Sequence, residues 1–123
     1  MAGTSQARAR KVINGYGDGG FRIAGERVEG SVIVFPERFF PWAVGDAASL
    51  RAADLQPLIE AAGAIDILLL GCGKGPPVFD SELRELLRGH RIAVDAMDTG
   101  AACRTYNILL TESRAIAAAL IAV

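Results

Sequence analysis

Apolar positions in this chain follow two rhythms. Over residues 11–16, 21–23 and 27–29 they alternate weakly with polar ones, broken by Gly17, Asp18, Gly19 and Gly20 and again by Gly25, which predicts a meander of short strands. Residues 31–35 are β-branched and almost wholly apolar, as a strand covered on both faces requires, and residues 65–70 repeat that pattern. Between them, Pro36 and Pro41 bracket Phe39 and Phe40, with Trp42 following. Proline removes a ladder donor, so this segment is expected to leave the sheet and carry its aromatics across the surface.

Helical spacing comes next. Leu55, Leu58, Ile59 and Ala62 recur at intervals of three and four, predicting a helix over 52–62 with Pro57 near its first turn and Gly63 at its end. A second helix is expected over 81–88, capped by Asp80, with Leu83, Leu86 and Leu87 inward and Gly89 at the stop. Strand character returns over 91–96. Asp98 or Thr99 can then cap a third helix, on which Ala102, Cys103, Tyr106, Leu109 and Leu110 share a face while Arg104 points away and Asn107 lies at the border. Residues 114–123 are ambiguous: their alanines favour helix, but a strand through Ile116, Leu120 and Ile121 fits as well. Strand, helix, strand with short connections implies parallel pairing, hence an α/β domain with a mixed sheet.

At 123 residues the chain makes one domain, expected over 11–123 after a loose polar tail at 1–10. Apolar residues are 51% and charged residues 22%, a folded and not a disordered composition, and no apolar run reaches the length of a spanning helix. Thirteen basic and 14 acidic residues leave a formal net charge of −1, which argues against nucleic acid as a partner. The tail lacks the apolar core of a secretory signal, so a cytoplasmic location is the default expectation. Cys72 and Cys103 match neither a zinc knuckle nor a redox pair and read as free thiols.

Several segments invite a chemical reading. Gly71, Cys72, Gly73 and Lys74 follow a strand and could approach an anion, yet the P-loop spacing fails and Pro76 and Pro77 delay the next helix. His90, the only histidine, sits at a helix end where it complements the dipole. No metal-ligand set, catalytic set or cofactor fingerprint is present. If the strands at 65–70 and 91–96 are parallel, residues 71–74 should face residues 98–104 at their carboxyl ends, where α/β sheets collect ligands.

Gly20-Phe21 with Ile23, Gly30-Ser31-Val32 leading to Pro36 and Trp42, residues 66–73, Asp98-Thr99 with Ala102-Cys103-Arg104-Thr105-Tyr106-Asn107, and Ala117-Ala118-Ala119-Leu120-Ile121 together carry a resemblance. Over about residues 13–121 the chain resembles the domain of unknown function 498 family, whose members include a mitochondrial assembly factor of respiratory complex I. The resemblance implies a three-layer β+α/β/α arrangement with a central mixed sheet and an N-terminal β-meander layer, and it makes residues 114–121 a strand. Family members usually carry Gly-Thr-Gly where this chain has Gly71-Cys72-Gly73, so a role needing a hydroxyl at Cys72 is not supported. The leading expectation is a non-enzymatic binding or assembly factor with a protein partner, by resemblance complex I subunits or assembly factors. Its candidate contacts are Gly71, Cys72, Gly73, Lys74, Asp98, Arg104 and Asn107, with Phe39, Phe40 and Trp42 as surface aromatics. The alternative is an anion- or small-molecule-binding protein or enzyme using the 71–74 and 98–104 cleft; a third reading is a homodimer whose signature only holds the fold.

Overall fold

A computed structural model describes residues 10–123. Strands β1 (Ile13–Gly17), β2 (Gly20–Ile23) and β3 (Glu26–Glu29) form the antiparallel meander expected from the glycine turns. Gly20 is required by close approach: a Cβ there would lie 2.3 Å from the Val28 carbonyl oxygen.

The second sheet has five strands in the order β5-β4-β8-β6-β7, where β4 is Val32–Phe35, β5 Arg38–Pro41, β6 Ile67–Gly71, β7 Ala93–Met97 and β8 Ile116–Leu120. β6 pairs in parallel with both β7 and β8, whereas β4 pairs antiparallel with β8 and β5, so the sheet is mixed. The C-terminal segment settles its ambiguity as a central strand with every residue buried. Helix propensity differs by only tenths of a kcal/mol per residue, and burial of Ile116 and Leu120 in the sheet outweighs it.

The segment bracketed by prolines departs from expectation. Arg38–Pro41 pairs with β4 as an edge strand, a place that tolerates Pro41. Trp42 is 6% exposed, its Nε1 donating to the Asp54 carbonyl at 2.8 Å, so it is a core residue and not a surface aromatic. Phe39 and Phe40 are half-buried; the Phe40 ring stacks on Phe35 with centroids 6.1 Å apart. The chain turns these rings inward because edge pairing directs alternate side chains onto the two faces of the sheet.

Residues 52–62 do not form one continuous helix. They divide into 3-10 turns and the short helix α1 (Gln56–Glu60), with Pro57 in its first turn, where the missing N–H breaks the hydrogen-bond ladder. Helix α2 (Ser81–Gly89) follows the prediction, its Asp80 carboxylate accepting from the Glu82 and Leu83 N–H groups. Helix α3 (Thr99–Leu110) is capped by Asp98, which accepts from Ala101 N at 2.9 Å.

Two apolar layers sandwich the five-stranded sheet. On one side Ile33, Leu68, Leu70, Ala117 and Ala119 meet Leu55, Leu58 and Leu87 from α1, α2 and their approaches. On the other, Val32, Val34, Leu69, Ala118 and Leu120 meet α3 through Ala102, Cys103 and Tyr106, together with Phe21 and Ile23 of the meander. The three-layer expectation therefore holds. Residues 1–9 of the expected tail lie outside the described residues, while Arg10 is anchored, its Nη2 donating to the Leu110 carbonyl at 3.0 Å.

Candidate functional site

Parallel β6, β7 and β8 direct their carboxyl ends to one edge, with Gly71 opposite both Met97 and Leu120. Residues 71–74 and 98–104 do meet there. Cys72 N donates to the Met97 carbonyl at 2.8 Å, Thr99 N to the Gly73 carbonyl at 2.9 Å, and Ile121 N to the Gly71 carbonyl at 2.9 Å.

Thr99 ties the three segments together. Its Oγ1 accepts from Gly73 N at 2.9 Å and donates to the Ile121 carbonyl at 2.8 Å, and the residue has no solvent exposure. Gly71 fits beneath it because a Cβ would lie 3.0 Å from Thr99 Cα, Thr99 Oγ1 and Leu120 Cδ2. Gly73 takes φ 95, a left-handed conformation that glycine adopts without steric penalty. These backbone groups are thus engaged with one another, while the side chains of Lys74 and Arg104 are exposed.

Arg104 Nη1 donates to the Tyr16 hydroxyl at 2.9 Å, joining α3 to β1 across 88 positions of sequence. Gly100 permits this: a Cβ there would stand 2.6 Å from the Tyr16 hydroxyl. Tyr16 was not singled out by sequence reasoning, and no local signal marks it. Asn107 is the reverse case. Its Oδ1 accepts from Ile13 N at 2.9 Å and its Nδ2 donates to the Ile13 carbonyl at 2.8 Å, so its amide holds β1 against α3 instead of facing a ligand.

The thiols are free. Cys72 is half-buried, its Sγ 3.6 Å from the Val78 carbonyl. Cys103 is 2% exposed, and burial pushes its thiol up to about 12; the Arg104 charge pulls it down and Asp98 raises it further, both less than burial. The helix N-terminus therefore does not make Cys103 a thiolate nucleophile. Tyr106 is fully buried on the same face, burial raising its phenol, and its hydroxyl has no hydrogen-bond partner among the described residues. His90 caps the end of α2 through its backbone, N to the Leu87 carbonyl at 2.9 Å. Among the described residues no three His, Cys, Asp or Glu side chains converge as a metal site.

The chain is similar to known proteins over most of its length. An assembly factor from Danio rerio, NADH dehydrogenase [ubiquinone] 1 alpha subcomplex assembly factor 3, is 36% identical over 116 residues, covering 94% of this chain and 67% of its own length. The Homo sapiens protein of that name is 31% identical, and this chain spans 63% of it. An uncharacterised Rhodobacter capsulatus protein is 37% identical over 89% of this chain and 82% of its own. Among solved structures, one described as an outer membrane protein from Bartonella henselae superposes with a TM-score of 0.85 at 39% identity, covering 93% of this chain and 96% of that one. The solution structure of a Rhodopseudomonas palustris protein gives 0.82 at 40% identity, covering 100% and 93%. No helix among the described residues is long and apolar enough to cross a membrane. The sequence model of the family described as protein of unknown function (DUF498/DUF598) matches residues 13–121, and the chain belongs to that family.

Proposed function

We propose that this protein is a binding factor in the assembly of NADH dehydrogenase, respiratory complex I, acting by holding a protein partner and not by catalysis. The observation that carries the reading is the relationship to proteins named as assembly factors of that complex, which extends over 94% of this chain. The chemistry of the shared edge supports it. Thr99, Gly71 and Gly73 spend their polar groups on one another, Cys103 is a buried thiol, and the solvent-facing Lys74 and Arg104 suit a partner's carboxylates. Arg104 would be the principal contact, oriented by Tyr16, with Lys74 a second cationic contact.

Purification of the tagged chain from its own cells under native conditions, followed by mass spectrometry, tests this. Complex I subunits or intermediates should be recovered, and fewer with Lys74→Ala/Arg104→Ala. Recovery of a bound metabolite, lost in that variant while the protein partners stay unchanged, would instead support a small-molecule site at the same edge.

A further inference from the structure

At the opposite end of β7, helix α2 and the strand enclose a cleft of about 350 Å³ lined by Arg84, Arg88, Arg91, Ile92, Ala93 and Val94. Half of these residues carry guanidinium groups, in a chain whose formal net charge is −1. Local structure gathers them. Arg84 and Arg88 stand four residues apart on one face of α2, and Arg91 follows the helix end with φ 65, a conformation that is uncommon for a residue with a side chain.

Arg84 is fixed in place. Its Nη1 donates to the Val94 carbonyl at 2.7 Å and its guanidinium lies 5.4 Å from the centre of the Phe79 ring. Arg88 has only a loose surface pairing with Glu85 at 3.6 Å, and Arg91 makes no ion pair among the described residues. β7 is an edge strand, the usual place for another strand to add, but Arg84 already occupies the Val94 carbonyl. Ladder pairing is obstructed there, which leaves side-chain charge as the means of recognition.

The spacing selects the occupant. Side chains four apart on a helix start about 6 Å from each other. Alternate side chains of an extended chain are about 6.6 Å apart, so carboxylates at every second position can meet Arg84 and Arg88 in turn. A compact small anion would engage one arginine and leave the rest of this open cleft wet.

We propose that this cleft binds an extended acidic segment of a partner protein, with alternate carboxylates pairing to Arg84, Arg88 and Arg91. The inference rests on the partner-binding role argued above and gives it a second surface, remote from Lys74 and Arg104. Fluorescence anisotropy of a fluorescein-labelled peptide of alternating Glu and Ser, titrated with the full chain at low salt, tests it. Arg88→Glu/Arg91→Glu should weaken binding by about tenfold or more, and Arg88→Gln/Arg91→Gln by less, since charge reversal adds repulsion to the lost pairing. Arg22→Glu/Arg51→Glu, which makes the same change in net charge elsewhere, should leave affinity within about twofold. Circular dichroism melting confirms that each variant is folded.

Equal weakening by the Arg22 and Arg51 variant, displacement of the peptide by citrate at matched carboxylate concentration, or no binding by the wild type would overturn the proposal. Native purification with the Arg88→Glu/Arg91→Glu variant separates the two readings. Complex I partners retained by that variant while the peptide no longer binds would remove the cleft from partner recognition and leave the assembly role standing.

Discussion

Replacing Thr99 by valine tests the idea that the signature edge is a structural knot. Valine has almost the same shape, so the buried volume is kept while both hydrogen bonds of Oγ1 are lost, to Gly73 N at 2.9 Å and to the Ile121 carbonyl at 2.8 Å. The bond to Ile121 is buried and the one to Gly73 partly buried, and an unsatisfied buried donor or acceptor costs about 1–3 kcal/mol. The two losses together come to about 2–6 kcal/mol, a large share of the roughly 5–15 kcal/mol that keeps an ordinary domain folded. Serine supplies the control. Thr99→Ser keeps both bonds and loses one methyl group, about 1 kcal/mol. Urea denaturation followed by tryptophan fluorescence suits the measurement because Trp42 is buried. The midpoint should fall much further for Thr99→Val than for Thr99→Ser, with an unchanged slope. If valine is tolerated as well as serine, the hydrogen bonds of Thr99 are not what joins the three segments.

Further outcomes follow from neighbouring residues. Gly71→Ala should cost about 1–3 kcal/mol in the same assay, because the new methyl group meets Thr99 backbone and Leu120 at 3.0 Å with little room to yield. Tyr106→Phe should leave stability unchanged or raise it by up to about 1 kcal/mol, since the hydroxyl it removes is buried without a partner among the described residues; a clear loss would mean that the hydroxyl is satisfied in solution. Cys103 bears on pH dependence: its thiol is raised in the folded state to about 12, so the unfolded chain ionises first. Its contribution is complete below the ordinary thiol range and is lost as pH rises from about 9 towards 12, a decline that Cys103→Ala should reduce and that denaturation at stepped pH would reveal. At pH 8, a thiol reagent should modify half-buried Cys72 in the native protein and reach Cys103 only after unfolding.

Most of the architecture could be read from the chain because its signals are local. The glycine turns set the meander, Asp80 and Asp98 mark helix starts, and the apolar runs of β4 and β6 need cover on both faces. Local patterns misled or left the outcome open where partners distant in sequence decide it. Trp42 looks exposed beside two prolines, yet Arg38–Pro41 finds β4 and the indole finds the Asp54 carbonyl. The alanines of β8 carry no strand signal of their own and become strand because β4 and β6 flank them. At the site, parallel pairing correctly brought residues 71–74 to residues 98–104, but it could not reveal how completely they occupy one another. Asn107 resembled a free amide until Ile13, 94 positions away, took both of its groups. Arg104 stayed accessible, and its Tyr16 partner lies 88 positions away, beyond the reach of any local pattern.

The assembly role is tested most directly by the amount of fully assembled complex I in cells lacking this protein, read by native gel electrophoresis with in-gel NADH dehydrogenase staining. Deletion should lower the assembled complex and accumulate smaller intermediates, with recovery on return of the wild-type chain and weaker recovery with Lys74→Ala/Arg104→Ala. An unchanged level of assembled complex I in the deletion strain would contradict the account.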